Sequence, residues 1–234
     1  MTLAMYKEPE FSLPHPPISL SIFLVLEEAV CAAWELLRLH PPQGFFVATA
    51  IETDINAYLH ETLKDKIWNR DIVNGFDDEL IRTIVRPETR SFDGKHLGKK
   101  PDMMVELVDI PERVRPSQYG IFIECKPVDA SHTLTVHYCD KGILRFVCGD
   151  YAWAMTQAMM IGYVDSEEIP AEGIKSALDA RKDVVLPVHA PTTCPRSAGG
   201  VPVAITEHHR NFCYVENGQA APDITLRHLW LRRN

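Results

Sequence analysis

The chain has 234 residues, 46% hydrophobic and 24% charged, enough for a substantial core and within the range of ordinary globular domains. Its 32 acidic and 24 basic side chains leave a net charge of −8, which excludes broad, sequence-blind adhesion to nucleic acid or acidic membranes and leaves only local basic patches for such contacts. The six cysteines include no CxxC pair, and the apolar run "ISLSIFLVL" at 18–26 is too short to span a bilayer, so reduced thiols, a cytoplasmic location and no membrane anchoring are expected.

Residues 1–17 are proline-rich and expected to be irregular. Residues 18–39 read as a helix: Glu27, Glu28, Glu35 and Arg38 fall in one arc of the wheel, away from Ile22, Leu26, Val30, Ala33 and Leu37. This helix is expected to be an amphipathic cover, ended by "HPPQG" at 40–44. Residues 47–68 form a second helical pattern with Ile51, Ile55, Tyr58, Leu59, Leu63 and Ile67 as its buried stripe. On that wheel Leu59 and Leu63 flank Glu52 by about 20° on either side, whereas Glu61 lies about 180° away. Glu61 should be solvated, and Glu52 should point inward.

"LIRTIVRPE" at 80–88 has the β-branched content of a strand, and "RSFDGKHLGKK" is a polar, basic loop. "KKPDMMVELVD" at 99–109 and "YGIFIECKPVD" at 119–129 follow as the strands of a hairpin. The stretch 141–164 is apolar on most of its circumference and reads as a largely buried helix, in which Asp150 and Gln157 lie nearly above one another. A smaller helix near 171–181, a short strand "DVVLPVHA" at 183–190, a loop at 191–201 and two added strands complete the chain. The order implies an α/β layered domain. Its expected divisions are an N-terminal arm and helix at 1–44, a core at 45–190, and a C-terminal strand extension at 191–234 packed on the core.

Alternate side chains of a strand share a face, so Glu124 and Lys126 project together while Ile121, Ile123 and Cys125 face the other way. A hairpin centred on residue 114 would set Met104 opposite Glu124 and Asp102 opposite Lys126, placing Asp102, Glu124 and Lys126 on one face; a one-residue slip would separate them. Asp102 and Glu124 suit a hard divalent cation such as Mg2+, with the carbonyl of Cys125 as a further oxygen. Lys126 could position or deprotonate an attacking water and offset charge on a pentavalent phosphorus. Glu52 could bind the same ion through water, or a second ion.

Pro101-Asp102, Glu124-Cys125-Lys126, the helical Glu52 and the order helix, three strands, helix, strand over about residues 45–190 resemble the PD-(D/E)xK nuclease superfamily, the restriction-endonuclease-like fold. The resemblance implies a layered α/β core and an Mg2+-dependent nuclease, with Mn2+ as an alternative ion and DNA a more natural substrate than RNA. It implies Asp102 and Glu124 as metal ligands, Lys126 as the catalytic lysine and Glu52 as the helical acid. It further implies a role in restriction, repair or antiviral defence, with a catalytically silent binding or assembly subunit as the alternative; the small size and negative net charge suggest a homodimer or partner subunit for recognition. Substrate contacts are expected from Lys95, Lys99 and Lys100 in the basic loop, from His132, Lys141 and Arg145, and from Gln157. Cys194, His208, His209 and Cys213 offer zinc-compatible atoms, but their spacing matches no ligand knuckle.

Overall fold

The computed structural model describes residues 11–165, 171–194 and 203–234; residues 1–10 of the expected arm and most of the expected loop at 191–201 lie outside them. Helix α1 (Leu20–Leu39) buries Phe23, Leu26, Val30, Trp34 and Leu37 and stops before Pro41-Pro42. Glu27 departs from the expected solvated arc and is fully buried. It sits at the arc's edge, about 60° from Val30, and Arg227, distant in sequence, reaches it with both Nε and Nη2.

Helix α2 (Glu52–Thr62) begins five residues later than the pattern at 47–68 suggested. Arg233 explains the delay: it donates to the carbonyls of Val47 and Ala50, at 3.1 and 2.7 Å, and so holds the turn at 47–49 and the residue after it. Ile51 consequently leaves the buried stripe and is 65% exposed. Ile55, Leu59, Leu63 and Ile67 are buried, the last two on a π-helical continuation (Leu63–Ile67), and Glu61 is exposed.

Strands β1 (Ile81–Val85), β2 (Met103–Leu107) and β3 (Ile121–Val128) form an antiparallel meander. In β2–β3, Met104 stands opposite Phe122 and Met103 opposite Ile123, a register two residues from the expected one. Because side chains repeat every two residues, that displacement preserves which face each occupies.

The helix expected over 141–164 is not formed. A π-helical stretch (Leu134–Ile143) runs into the short helix α3 (Leu144–Val147), a turn follows, and β4 (Gln157–Val164) is a strand pairing parallel with β3. All of β4 except Gln157 is buried. A central parallel strand is covered on both faces and reads as an unbroken apolar run, which hydrophobicity alone does not separate from a buried helix. Asp150 thus lies in the turn and Gln157 starts a strand.

Helices α4 (Ala171–Ala180) and α5 (Lys182–Val185) follow. The strand expected at 183–190 is replaced by α5 and a left-handed Leu186, φ 48°; its pairing reduces to an isolated bridge between Pro187 and His208. Val184 and Val185 both donate to the Arg181 carbonyl, so the β-branched pair forms a helical turn that buries Val185 and half-buries Val184 instead. The closing strands are β5 (Thr192–Cys194), β6 (Val203–His208) and β7 (Ile224–Arg232).

The seven strands form one mixed sheet in the order β1-β2-β3-β4-β7-β6-β5. Core and C-terminal segment therefore share a sheet, because β7 pairs in parallel with β4. Helices cover both faces. On one, Trp34 of α1 stacks on Tyr163 of β4 at 5.3 Å; on the other, Tyr138 of the π-helical stretch packs on Trp230 of β7 at 5.0 Å. Gly162 is required there, since a Cβ would stand 2.3 Å from the Trp230 ring. The same layer holds a buried chain from Tyr138 Oη to His228 (2.9 Å), to Thr206 Oγ1 (2.7 Å), to His208 (2.7 Å), to the Val185 carbonyl (2.6 Å). The terminal carbonyl can only accept, so His208 Nδ1 donates to it, Thr206 to His208 Nε2, His228 Nε2 to Thr206, and Tyr138 to His228 Nδ1. His208 is thereby committed to the core.

Candidate active site

The β2–β3 ladder ends at Met103–Ile123. Beyond it the backbone of Cys125 has no strand partner on the β2 side, and side chains take its place. Asp102 Oδ2 accepts from Cys125 N at 2.8 Å, while the Cys125 carbonyl accepts from Lys126 Nζ at 2.8 Å. The other Asp102 oxygen accepts from Asn56 Nδ2 at 2.7 Å, and Asn56 Oδ1 accepts from the Tyr163 hydroxyl at 2.7 Å. These bonds fix the amide's orientation and tie Asp102 to α2, β3 and β4 together.

Glu52, the first residue of α2, reaches the same point. Lys126 Nζ lies 2.7 Å from Glu52 Oε1, 2.9 Å from Glu124 Oε1 and 3.9 Å from Asp102 Oδ2. The four residues expected to act together are brought together, from α2, the start of β2 and β3. The Cys125 carbonyl faces the same center.

With every carboxyl ionised, three acids against one ammonium would leave an excess of two negative charges in a site of low exposure, where Glu124 is 5% exposed. Burial, then the charge of Asp102, pushes Glu124 up to about 7 from an ordinary 4.5, against the pull of Lys126. Burial also lifts Asp102, with Glu52 adding to it; Lys126 and the Cys125 N–H offset this only in part. For Lys126 burial opposes the charge, but the carboxylates, Glu124 foremost, outweigh it and hold the ammonium above the usual lysine range. Lys126 Nζ donates here to Glu52 and to the Cys125 carbonyl and pairs with Glu124.

Two residues that sequence reasoning did not single out complete the site. Asn56 lies one helical turn beyond Glu52, on the same inward arc, so the wheel that marked Glu52 contained its signal. Tyr151 gives no such signal. Its hydroxyl and Glu124 Oε2 are both buried without a well-formed hydrogen bond to any described residue, yet they lie close enough for a contact between them to bear on the titration of both.

The remaining expected contacts divide. Lys99 and Arg145 meet at one carboxylate, each 2.8 Å from an oxygen of Asp150. His132 lies beside Glu52 in a cavity of about 590 Å³ and bonds Asp129 through Nδ1. Lys141 is exposed, and His137 one turn before it feels its charge. Lys95 and Lys100 pair with Asp93 and Glu88 on the surface. Gln157 does not face the site: on β4 its Oε1 accepts from Ile18 N at 2.8 Å, anchoring the segment before α1.

The donor set fits a hard divalent cation. Its atoms are oxygens, its charge would be in excess by two with every carboxyl ionised, and Glu124 Oε2 is buried without a hydrogen bond to any described residue. Among the described residues, however, no three His, Cys, Asp or Glu side chains already stand as a ligand cluster, because Lys126 Nζ lies among the three acids. No described helix is long and apolar enough to cross a membrane. Comparison with protein-family models, curated proteins and solved structures returns no match.

Proposed function

We propose that the protein is a metal-dependent phosphodiesterase of the restriction-endonuclease-like kind, acting on nucleic acid and on DNA in preference to RNA. The observation that carries this reading is the convergence of Glu52, Asp102, Glu124 and Lys126, from separate elements, on one partly buried point. Asp102 and Glu124, with the Cys125 carbonyl, would hold Mg2+ or Mn2+, and Glu52 would bind it directly or through water. Such a cation supplies Lewis-acid stabilisation of phosphoryl oxygens and acidifies a water.

This chain's residues supply the rest. Asn56 and the Cys125 N–H orient Asp102 so that its charge is aimed before substrate arrives. Lys126, held charged, donates to the attacking water or to the oxygens of the pentavalent phosphorus. A homodimer or partner subunit would extend recognition, because the acidic net charge gives the single chain little general attraction for a polyanion.

The test is cleavage of plasmid, linear duplex, single-stranded DNA and RNA by wild type, Asp102→Ala and Lys126→Ala, with Mg2+, Mn2+ or chelator. Wild type should cleave with metal and lose activity with chelator, and both variants should fall by at least about 10³-fold. Equal cleavage by all three proteins sinks the reading. A second reading, a catalytically silent binding or assembly subunit, is favoured by the way Lys126 already fills the space among the acids. It predicts wild-type binding without cleavage.

A further inference from the structure

The turn after α3 carries polar groups on two sides. Inside is Tyr151, beside Glu124. Outside, Asp150 accepts from Lys99 Nζ on Oδ1 and from Arg145 Nη1 on Oδ2, both at 2.8 Å. Two cations sharing one carboxylate retain a net positive charge. The Arg145 side chain is 42% exposed, and its guanidinium meets Asp150 through Nη1.

The backbone around these groups is fixed. Lys99 and Thr89 exchange two backbone hydrogen bonds, at 2.7 and 2.8 Å, closing the basic loop at its base. The Asp150 N–H donates to the Arg145 carbonyl at 2.9 Å. Ala152 is held at a positive φ of 52°, a conformation costly for a residue with a side chain. Buried Arg210 offsets that cost by donating to the carbonyls of Ala152, Trp153 and Met155.

The surroundings of the site differ in charge. Lys99 stands three residues before Asp102, and Asp150 directly precedes Tyr151, the neighbour of Glu124, so the Lys99–Asp150–Arg145 group lies next to the acids on a first side. The cavity on the Glu52 side is lined by Asp129 and Asp165 with His132 and Arg233. A polyanionic strand is drawn to the first side and repelled by the carboxylates of the second.

We propose that Lys99 and Arg145, spaced by Asp150, form a clamp for a nucleic-acid backbone phosphate adjacent to the one presented to Glu52, Asp102, Glu124 and Lys126, so that the strand is gripped from the basic side of the cleft. The clamp rests on the phosphodiesterase reading for its neighbour, but not for its own binding chemistry.

The experiment is fluorescence anisotropy of the full chain with fluorescein-labelled single- and double-stranded DNA and RNA oligonucleotides, in chelator, over a range of salt. Removing both cations would strand Asp150, so Lys99→Gln/Arg145→Gln, which still donates to it, accompanies Lys99→Ala/Arg145→Ala. Lys64→Ala/Lys66→Ala, on the exposed lysines after α2, is the control for mere loss of charge. Binding by the Gln pair should weaken by about 10- to 100-fold, and the log–log salt slope should fall by about 2, with the control unchanged. Unchanged binding by the Gln pair, an equal loss in the control, or competition by inorganic phosphate as effective as by oligonucleotide would overturn the clamp. Cleavage of nucleic acid with an unaltered Gln pair would leave the phosphodiesterase reading standing without it. Clamp-dependent binding with no cleavage under any metal would support the clamp and remove that reading.

Discussion

Two ionic clusters are buried against this sheet, and they are built to opposite ends. Glu27 and Arg227 form a closed pair: one acid, one base, two hydrogen bonds, with Glu27 fully buried. Glu52, Asp102, Glu124 and Lys126 form an open one: three acids, one base and an oxygen without a well-formed hydrogen bond to any described residue. Both bury charge, but only the second leaves charge uncompensated. A structural cluster has no reason to retain that cost, whereas a site that takes up a dication does. The difference in balance, rather than burial, separates scaffold from chemistry here.

The closed pair gives the largest effect on stability. Arg227→Met leaves Glu27 buried without its partner and should cost about 3–5 kcal/mol, measured by urea denaturation. Glu27→Leu/Arg227→Met should recover most of that loss, because two apolar side chains need no counter-ion. The open cluster should behave in the opposite sense: Glu124→Gln removes repulsion and should stabilise the protein at pH 8 while abolishing cleavage. If Glu124→Gln destabilises as Arg227→Met does, the two clusters are the same kind of object and the contrast fails.

The next effect is a pH dependence of the open cluster alone. Glu124 titrates at about 7 in the fold against an ordinary 4.5. Between those values this carboxyl binds more protons in the folded state than in the unfolded one, so its own contribution falls as pH rises through the window, by about 3 kcal/mol for a shift of this size. Asp102, also raised, adds in the same direction. Buried His208 and His228, held below the usual histidine range by desolvation, act in the opposite sense, so the effect is read as the difference between wild type and Glu124→Gln. Mg2+ or Mn2+ requires the ionised acids, so added metal should raise the melting temperature at pH 8 and leave it nearly unchanged at pH 5. Glu124→Gln should flatten both responses. A metal-independent melting temperature at pH 8 would remove the cation from the site.

The open cluster was more legible in the sequence than the fold around it. Glu52 stood out on a helical wheel, and Glu124 and Lys126 shared a face by strand alternation; both are local rules. Asp102 survived a register two residues out because the period of a strand is two. Legibility failed where neighbours are distant in sequence. Arg227 lies 200 residues from Glu27, so nothing near Glu27 marked it as buried. Likewise, β4 read as helix because its covers, the π-helical stretch and α1, are not visible in its own composition, and Gln157 was misplaced with it. The position of β7 between β4 and β6 is a matter of long-range pairing that no local pattern encodes.

Tyr151 tests the open cluster at its finest level. Its hydroxyl lies beside Glu124 but does not reach solvent, being 2% exposed as a residue, so it can act only through that carboxylate. Tyr151→Phe keeps the ring, its edge contact with Phe146 at 5.1 Å and hence the packing. A stability change within about 0.5 kcal/mol is expected, since an unpartnered hydroxyl contributes little to folding. If the hydroxyl orients Glu124 once a cation is bound, kcat should fall by about 10-fold with KM for nucleic acid unchanged, and the metal concentration giving half-maximal activity should rise. Lys99→Gln/Arg145→Gln should do the reverse, raising KM with little effect on kcat. The same turn thus carries two separable effects, one inward on metal use and one outward on strand binding. A Tyr151→Phe enzyme with wild-type metal dependence would return Tyr151 to the core and leave Glu124 oriented by Lys126 alone.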